Sequence, residues 1–204
     1  MGRGNASLTA DNPANNQALL QVERLRAGYT GPVVGPVSFL VQPGEVLGLG
    51  GLNGAGKSTV LRALTGTARV FAGRIHRAPG LRIAHHQQRP ERPPELPLLG
   101  RELLALLRAE QDPPALVQPL LDEPIARMSG GQYQLLQAWA CLNSQANLVL
   151  LDEPTNNLDG TAIEALGDML ARLGPGRAAI LVSHEQTFLD RHCARQIEVS
   201  PWTG

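Results

Sequence analysis

The sequence predicts an α/β fold built on a mainly parallel β-sheet, and three observations predict it. A glycine-rich stretch at residues 51–58 follows a short apolar run and precedes a helical pattern. Beyond it, strand-like and helix-like segments alternate, which is typical of a parallel sheet with helices on its faces. The runs at 148–151 and 178–182 are apolar throughout, as strands buried on both faces should be.

The composition indicates one globular domain that works in a reducing compartment. The chain has 204 residues, 43% of them hydrophobic, with 18 basic and 18 acidic side chains. This length suits one domain, or one domain with a subdomain, and the balanced charge argues against a dedicated nucleic-acid-binding protein. Its two cysteines make no disulfide framework, which fits the cytoplasm. Since neither a membrane span nor a signal peptide is evident, we expect a cytoplasmic protein that could serve the inner face of the cell membrane only through a partner.

The central motif is a phosphate-binding loop of the form G-x-x-x-x-G-K-[ST] at residues 51–58. Its glycines let several backbone N–H groups point at one spot, and a helix beginning at about Lys57 adds the positive end of its dipole. Lys57 can reach the β- and γ-phosphates of a nucleotide, and the Ser58 hydroxyl can bind Mg²⁺. A plain glycine-rich helix cap is the alternative, but the apolar strand at 45–50 favours phosphate binding.

The N-terminal part predicts a tail followed by strands. Residues 1–18 are small, polar and rich in asparagine, so we expect a flexible tail. Strands are predicted at 19–25 and 37–41. The turn signal Pro43-Gly44 predicts that the second strand forms a hairpin with the strand entering the phosphate loop.

Tyr29 lies in a turn after the first strand, where its ring could stack on a nucleotide base or pack on the sheet edge. Beyond the phosphate loop, the pattern predicts a helix and two strands at 57–67, 70–75 and 81–86. The last of these strands ends at Gln87 and Gln88. A proline cluster at 89–94 then marks a boundary.

A small helical subdomain is predicted at about residues 89–143. Two helical patterns at 98–109 and 115–121 carry leucines suited to packing within it. A largely apolar helix follows the stretch Ser-Gly-Gly-Gln at 129–132. The N–H groups of this stretch could form a second anion site, or Ser129 could be an ordinary N-cap.

Polar side chains follow the two buried strands. Asp152 and Glu153 come directly after the first, where ligands bind in open α/β sheets. Asp152 can help to hold Mg²⁺ and Glu153 can polarise a water for in-line attack, although a solvated strand end is the alternative. His184 follows the second strand and could contact a γ-phosphate or be structural. The remaining predicted elements are helices at 162–173 and 188–193 and a strand at 196–199.

In this order and approximate spacing, the motifs resemble those of the ATP-binding cassette (ABC) ATPases, from about residue 19 to residue 199. The stretch at 129–132 is the signature that separates this family from kinases, GTPases and helicases. The resemblance implies a P-loop NTPase of ABC type over residues 19–204. It would have a mainly parallel sheet core, an N-terminal antiparallel β subdomain and a short helical subdomain.

The resemblance also implies roles in Mg²⁺-dependent hydrolysis of ATP to ADP and phosphate. The ATP-binding residues would be Tyr29, Gly51, Asn53, Gly54, Ala55, Gly56, Lys57, Ser58, Thr59 and Gln88. The Mg²⁺ ligands would be Ser58, Gln88 and Asp152, with Gln87 as the alternative to Gln88. The catalytic residues would be Glu153 as general base, His184 at the γ-phosphate, and Lys57.

By the same resemblance, the signature acts on a second chain. The residues that contact the other cassette's nucleotide would be Ser129, Gly130, Gly131 and Gln132. Asp159 would lie at that interface, so catalysis would need a head-to-tail dimer with an identical or related cassette. The sequence departs from the family at Met128, where leucine is usual, and at Leu135 and Ala140, where arginines are typical.

Three functions fit this resemblance. The favoured one is the ATP-binding subunit of an ABC transporter, which couples ATP-driven dimer closure to movement of a separate membrane permease. The second is a soluble ATPase of the ABC-F kind that acts on ribosomes, since residues 150–159 and 182–190 look closer to that class. The third is a non-hydrolysing clamp, and the intact Lys57, Glu153 and His184 argue against it. Contact with nucleic acid is expected only through the ribosome, in the second case.

Overall fold

Two β-sheets organise the fold. The computed structural model describes residues 18–88, 97–109 and 113–204. Its strands are β1 Leu20–Gly28, β2 Pro32–Val41, β3 Val46–Gly50, β4 Arg69–Arg77, β5 Ile83–His86, β6 Leu148–Asp152, β7 Ala178–Val182 and β8 Arg195–Glu198. Its α-helices are α1 Lys57–Leu64, α2 Gly100–Leu106, α3 Gly130–Leu142, α4 Gly160–Ala171 and α5 Gln186–His192. Nearly all of the predicted tail, and the proline cluster after Gln88, lie outside the described residues.

The core sheet has five strands in the order β5-β6-β7-β3-β8, and every pairing in it is parallel. This confirms the predicted parallel α/β core. Residues of β6 alternate between two hydrophobic clusters. Val149 and Leu151 pack with α3 and α4, whereas Leu148 and Leu150 pack with α1 and the second sheet. The strand is therefore apolar at every position because both of its faces are covered.

The second sheet is antiparallel, with the order β2-β1-β4, and confirms the predicted N-terminal β subdomain. The predicted hairpin across Pro43-Gly44 is wrong. Strand β2 pairs with β1, while β3 lies between β7 and β8 in the other sheet. Because both edges of β3 are hydrogen-bonded to parallel neighbours, no edge remains for β2. The turn carries the chain from one sheet to the other.

The helical segment between β5 and β6 is less regular than predicted. The pattern at 98–109 gives the shorter α2, and the pattern at 115–121 gives a 3₁₀ helix, Gln118–Leu121, that contains Pro119. An α-helix over 115–121 would need the N–H of residue 119, which proline lacks. Only the short 3₁₀ helix therefore forms there. A second 3₁₀ helix, Ile125–Arg127, leads to α3. None of the described helices is long and apolar enough to cross a membrane.

Candidate functional site

A cleft of about 530 Å³ opens where the phosphate loop meets the carboxyl ends of the core strands. Its lining residues are Asn53, Gly54, Ala55, Gly56, Lys57, Ser58, Thr59, Gln88, Glu153, Asn156 and His184. The structure thus brings together most of the residues predicted to bind ATP, from segments far apart in sequence. Of the two candidate glutamines, Gln88 lines the cleft and Gln87 does not.

The loop conformation depends on glycine. Gly54 and Gly56 have φ values of 80° and 94°, in the left-handed region that other residues rarely adopt. A Cβ atom on Gly56 would also lie 2.6 Å from Cβ of Val34. Gly56 is the N-cap of α1, so the loop's N–H groups and the helix N-terminus meet at the cleft. This arrangement suits a phosphate group.

Lys57 is buried beneath the loop, with 7% of its surface exposed. Its ammonium donates to the carbonyl oxygens of Gly51 and Leu52, at 2.7 and 3.1 Å. Gly51 itself does not line the cleft but helps to hold this side chain. The ammonium is thus fixed within the loop by neutral acceptors, and a phosphate would supply its counter-charge.

Ser58 and Asp152 join the loop to the end of β6. The Ser58 hydroxyl donates to Oδ1 of Asp152 at 2.8 Å, and Asp152 is 1% exposed. Burial raises the pKa of Asp152, and the hydrogen bond from Ser58 opposes that shift. Gln88 lines the same cleft as Ser58, and hydroxyl, carboxylate and amide oxygens are the donors that Mg²⁺ prefers. The residues therefore fit a Mg²⁺ ion bound together with nucleotide phosphates.

Glu153 and His184 form the second polar group of the cleft. Oε2 of Glu153 lies 2.8 Å from Nδ1 of His184 and accepts the main-chain N–H of His184 at 3.1 Å. The Glu153 backbone has a φ of 51°, in the left-handed region. Its N–H donates to Val182 O at 2.9 Å, and Gln134 donates to its carbonyl, also at 2.9 Å. An uncommon conformation at a cleft carboxylate is typical of functional sites.

The signature residues lie outside this cleft. Ser129, Gly131 and Gln132 line a separate hollow of about 390 Å³ together with Asp159. Ser129 caps α3, because its hydroxyl accepts the N–H of Gln132 at 3.2 Å and the Gln132 side chain accepts the N–H of Ser129 at 2.8 Å. Asp159 likewise caps α4. Gly130 is the first residue of α3. Within one chain, then, signature and phosphate loop belong to two different sites.

Tyr29 is also outside the cleft lining. It lies between β1 and β2, is 47% exposed, and its hydroxyl accepts a hydrogen bond from Arg62 at 2.7 Å. The ring is thus tethered to α1, the helix that follows the phosphate loop. Its base-stacking role stays a prediction.

Sequence reasoning missed two residues of the site. Asn156 lines the cleft from the turn after Glu153. Gln134 is 3% exposed and contacts the Glu153 backbone from α3. A signal for Gln134 existed, because a glutamine among the apolar residues of a buried helix requires a hydrogen-bond partner. The sequence could not say which partner it would be.

The fold and the cleft define a P-loop nucleoside triphosphatase: a phosphate loop, a buried carboxylate and a Glu–His pair meet at the carboxyl edge of a parallel sheet. The ABC transporter family is matched by residues 34–156. The chain belongs to this family, as an ATP-hydrolysing subunit of the transporter type. The predicted ABC fold, ATPase activity and transporter hypothesis are thereby confirmed.

Curated relatives support the same assignment. The zinc import ATP-binding protein ZnuC of Paracoccus denitrificans (strain Pd 1222) is 38% identical over 175 residues, which cover 81% of this chain and 69% of ZnuC. ZnuC of Cereibacter sphaeroides is 37% identical over 164 residues, covering 75% of this chain and 67% of that protein. The chain thus spans about two thirds of the length of these relatives.

Solved structures agree. A protein described as the ATP-binding subunit of an ABC transporter superposes with a TM-score of 0.77 at 28% identity, covering 89% of this chain and 86% of that one. A metal-chelate-type ABC transporter in an inward-facing conformation matches with a TM-score of 0.74 at 22% identity, covering 90% and 80%. This second likeness concerns the fold alone.

Proposed function

We propose that the chain hydrolyses Mg²⁺-ATP as one half of a head-to-tail dimer and thereby drives a zinc-importing membrane permease from the cytoplasmic side. The observation that carries the catalytic part is the pair of Glu153 and His184, joined at 2.8 Å in a cleft that the phosphate loop also lines. The ATP-binding domain would comprise residues 19–204, with the helical subdomain at about 89–143.

Nucleotide binding would rest on the loop and its lysine. The N–H groups of residues 53–59 would surround the phosphates, and Lys57 would exchange its loop carbonyls for phosphate oxygens. Tyr29 would stack on the base. Ser58, Gln88 and Asp152 would hold Mg²⁺, which when bound neutralises charge that develops on the phosphate oxygens. Burial of Asp152 makes this carboxylate dependent on such a positive partner.

Glu153 would act as general base on the attacking water. An ionised carboxylate only accepts hydrogen bonds, so Nδ1 of His184 carries the proton in their contact. The two hydrogen bonds from His184 fix the orientation of the Glu153 carboxylate. Its remaining acceptor capacity can take up the water proton as oxygen attacks the γ-phosphate in line. His184 would in turn sense the γ-phosphate.

The dimer would complete each site. Because the signature hollow is separate from the cleft of the same chain, Ser129 and Gly131 can reach a nucleotide only on another chain. The N-terminus of α3 would then add its N–H groups and dipole to a γ-phosphate held by the partner cassette. Asp159 lies in the same hollow and would face the partner. Glu153 would therefore be productive only in the closed dimer.

A permease would bind at the helical subdomain. A groove of about 510 Å³ runs between β5, the end of α2 and the C-terminal half of α3. Leu106, 67% exposed, and Ala140 are among its lining residues. Because its lining also includes Arg82, Arg108 and Gln137, this groove is suited to a segment that carries both apolar and polar side chains. We assign zinc as the substrate because the relatives are named zinc import ATP-binding proteins.

Reconstitution tests this proposal. The chain would be co-expressed with a candidate zinc-importing membrane permease from the same organism, reconstituted in vesicles, and assayed for ATP turnover and zinc uptake. Wild type should show both, and Glu153→Gln neither, while retaining ATP binding. ATP turnover without zinc uptake would contradict zinc as the substrate. ATP-dependent co-sedimentation with ribosomes, in place of permease binding, would contradict the transport role.

A further inference from the structure

We infer that Gln134 is a positioning residue for the proposed general base: it ties the backbone of Glu153 to the helix that carries the signature. The inference rests on the proposed function, because it concerns how that base is held. It adds a residue that neither the phosphate loop nor the signature contains.

Gln134 is the fifth residue of α3, just over one turn beyond the signature glycines. Only 3% of it is exposed, and its neighbours along the helix, Tyr133 and Leu135, are buried hydrophobics. A buried amide that lost its partner would be strongly unfavourable. Its Nε2 donates to the carbonyl oxygen of Glu153 at 2.9 Å, in a fully buried contact.

The partner carbonyl belongs to a residue whose backbone needs restraint. Glu153 has a φ of 51°, which L-residues adopt only when their surroundings impose it. Three hydrogen bonds hold this backbone: the N–H of Glu153 donates to Val182 O, and its carbonyl accepts both the Gln134 side chain and the N–H of Asn156, the latter at 3.2 Å. Together they fix the direction in which the Glu153 side chain leaves the backbone. Without the Gln134 bond, only the longer turn bond from Asn156 holds the Glu153 carbonyl, so the peptide after Glu153 gains freedom to move and the carboxylate moves with it.

A second contact joins the same two segments. A Cβ atom on Gly131 would lie 2.4 Å from the carbonyl oxygen of Asn157, so the start of α3 is packed directly on the turn after Glu153. Glycine is required at this position for that approach. The helix is therefore attached to the 153–157 segment at two points, Gly131 and Gln134.

This attachment has a consequence in the dimer. The N-terminus of α3 would contact the nucleotide of the partner, while Glu153 acts on the nucleotide of its own chain. Gln134 then links the two composite sites. A displacement of α3 that accompanies nucleotide contact on one side would shift the general base on the other.

The test uses the purified full chain with Gln134→Met, which keeps the side-chain volume and removes the donor. The matched control is Asn143→Leu, because Asn143 also donates a side-chain amide to a backbone carbonyl, Trp139 O at 3.1 Å, at the far end of α3. The measurements are ATP affinity, kcat and KM, with melting temperature as the folding check. We expect Gln134→Met to lower kcat at least tenfold with ATP affinity within twofold of wild type, and Asn143→Leu to keep both.

A double mutant separates positioning from a general structural role. If Gln134 acts through Glu153, adding Gln134→Met to Glu153→Gln lowers the residual turnover no further. Three results would overturn the inference. Gln134→Met and the control could have equal kcat, Gln134→Met could lose ATP affinity in parallel with kcat, or the two losses could add in the double mutant. Gln134→Ala repeats the test should the methionine variant fold poorly. Wild-type turnover in Glu153→Gln alone would instead overturn the proposed function, so the two failures are distinguishable.

Discussion

Two hydrogen bonds from His184 converge on one oxygen of Glu153: the ring Nδ1 lies 2.8 Å from Oε2, and the main-chain N–H lies 3.1 Å from it. Glu153 follows β6 and His184 follows β7, so the pair connects the ends of adjacent parallel strands. The orientation of the proposed base is thus set by a neighbouring loop as well as by its own backbone.

Removing the His184 side chain should slow hydrolysis more than it weakens binding. In His184→Ala the main-chain bond to Glu153 remains, but the ring contact is lost, so we expect kcat to fall by about 10²-fold, within the range for a general acid–base partner. Steady-state ATP turnover measures this. His76→Ala is the control, because His76 lies on β4, outside the cleft, with its side chain 54% exposed. Equal turnover of the two variants would contradict the role of His184.

The chain offers a selective probe of its phosphate loop, because Lys57 is its only lysine. An amine-reactive reagent can modify only the N-terminal amine and Lys57, and Lys57 should react slowly because it is 7% exposed. Bound Mg²⁺-ATP should slow the reaction of Lys57 further while the N-terminus reacts unchanged. Peptide mass spectrometry reads both sites in one sample. Modification of Lys57 that is indifferent to ATP would show that its ammonium does not contact the nucleotide.

Lys57→Ala should weaken ATP binding at least tenfold, since a charge-assisted contact to phosphate is lost. Equilibrium titration with a fluorescent ATP analogue measures the change. Arg69→Ala is the comparison, because Arg69 is an exposed cation on β4 that lies outside the cleft. Unchanged affinity in Lys57→Ala would remove this lysine from the proposed site.

Ser129→Arg should leave ATP binding to the single chain intact and abolish ATP-dependent dimerisation, because a long cation would fill the signature hollow. Size-exclusion chromatography with light scattering in ATP, on a Glu153→Gln background, measures the dimer. The substitution also removes a helix cap, at a cost of about 1 kcal/mol. Ser129→Thr, which keeps the hydroxyl, controls for that loss and should still dimerise. If Ser129→Arg chains dimerise equally well, the signature does not act in trans.

The two thiols should be inert in the native protein. Burial raises the pKa of Cys141 and of Cys193 to about 12 in each case, above the value of 9.0 for a free thiol. Since a raised pKa favours the protonated form, few of these thiols are ionised at pH 8, and the thiolate is the reactive species. Alkylation should therefore be slow at pH 8 and complete for both cysteines in denaturant. Rapid native labelling of Cys141 would contradict its burial in the core.

Local patterns predicted a large part of the site because its chemistry lies in short segments. The spacing of residues 51–58 requires a loop between a strand and a helix, and apolar runs placed Asp152 and His184 at strand ends. Parallel strands deliver their carboxyl ends to the same edge, so these residues were expected to meet. The strand at 37–41 was also found correctly, but alternation does not reveal which neighbour a strand pairs with.

The phosphate loop, the buried strands and the acidic and histidine residues at their ends could thus be predicted from local sequence, because each depends on spacing within one segment. The tertiary structure decided what depends on contacts between distant segments. It placed β3 between β7 and β8, separated the signature hollow from the cleft, and joined Ser58 to Asp152, 94 residues away. It also gave the buried Gln134 its partner, since only packing selects one carbonyl among many.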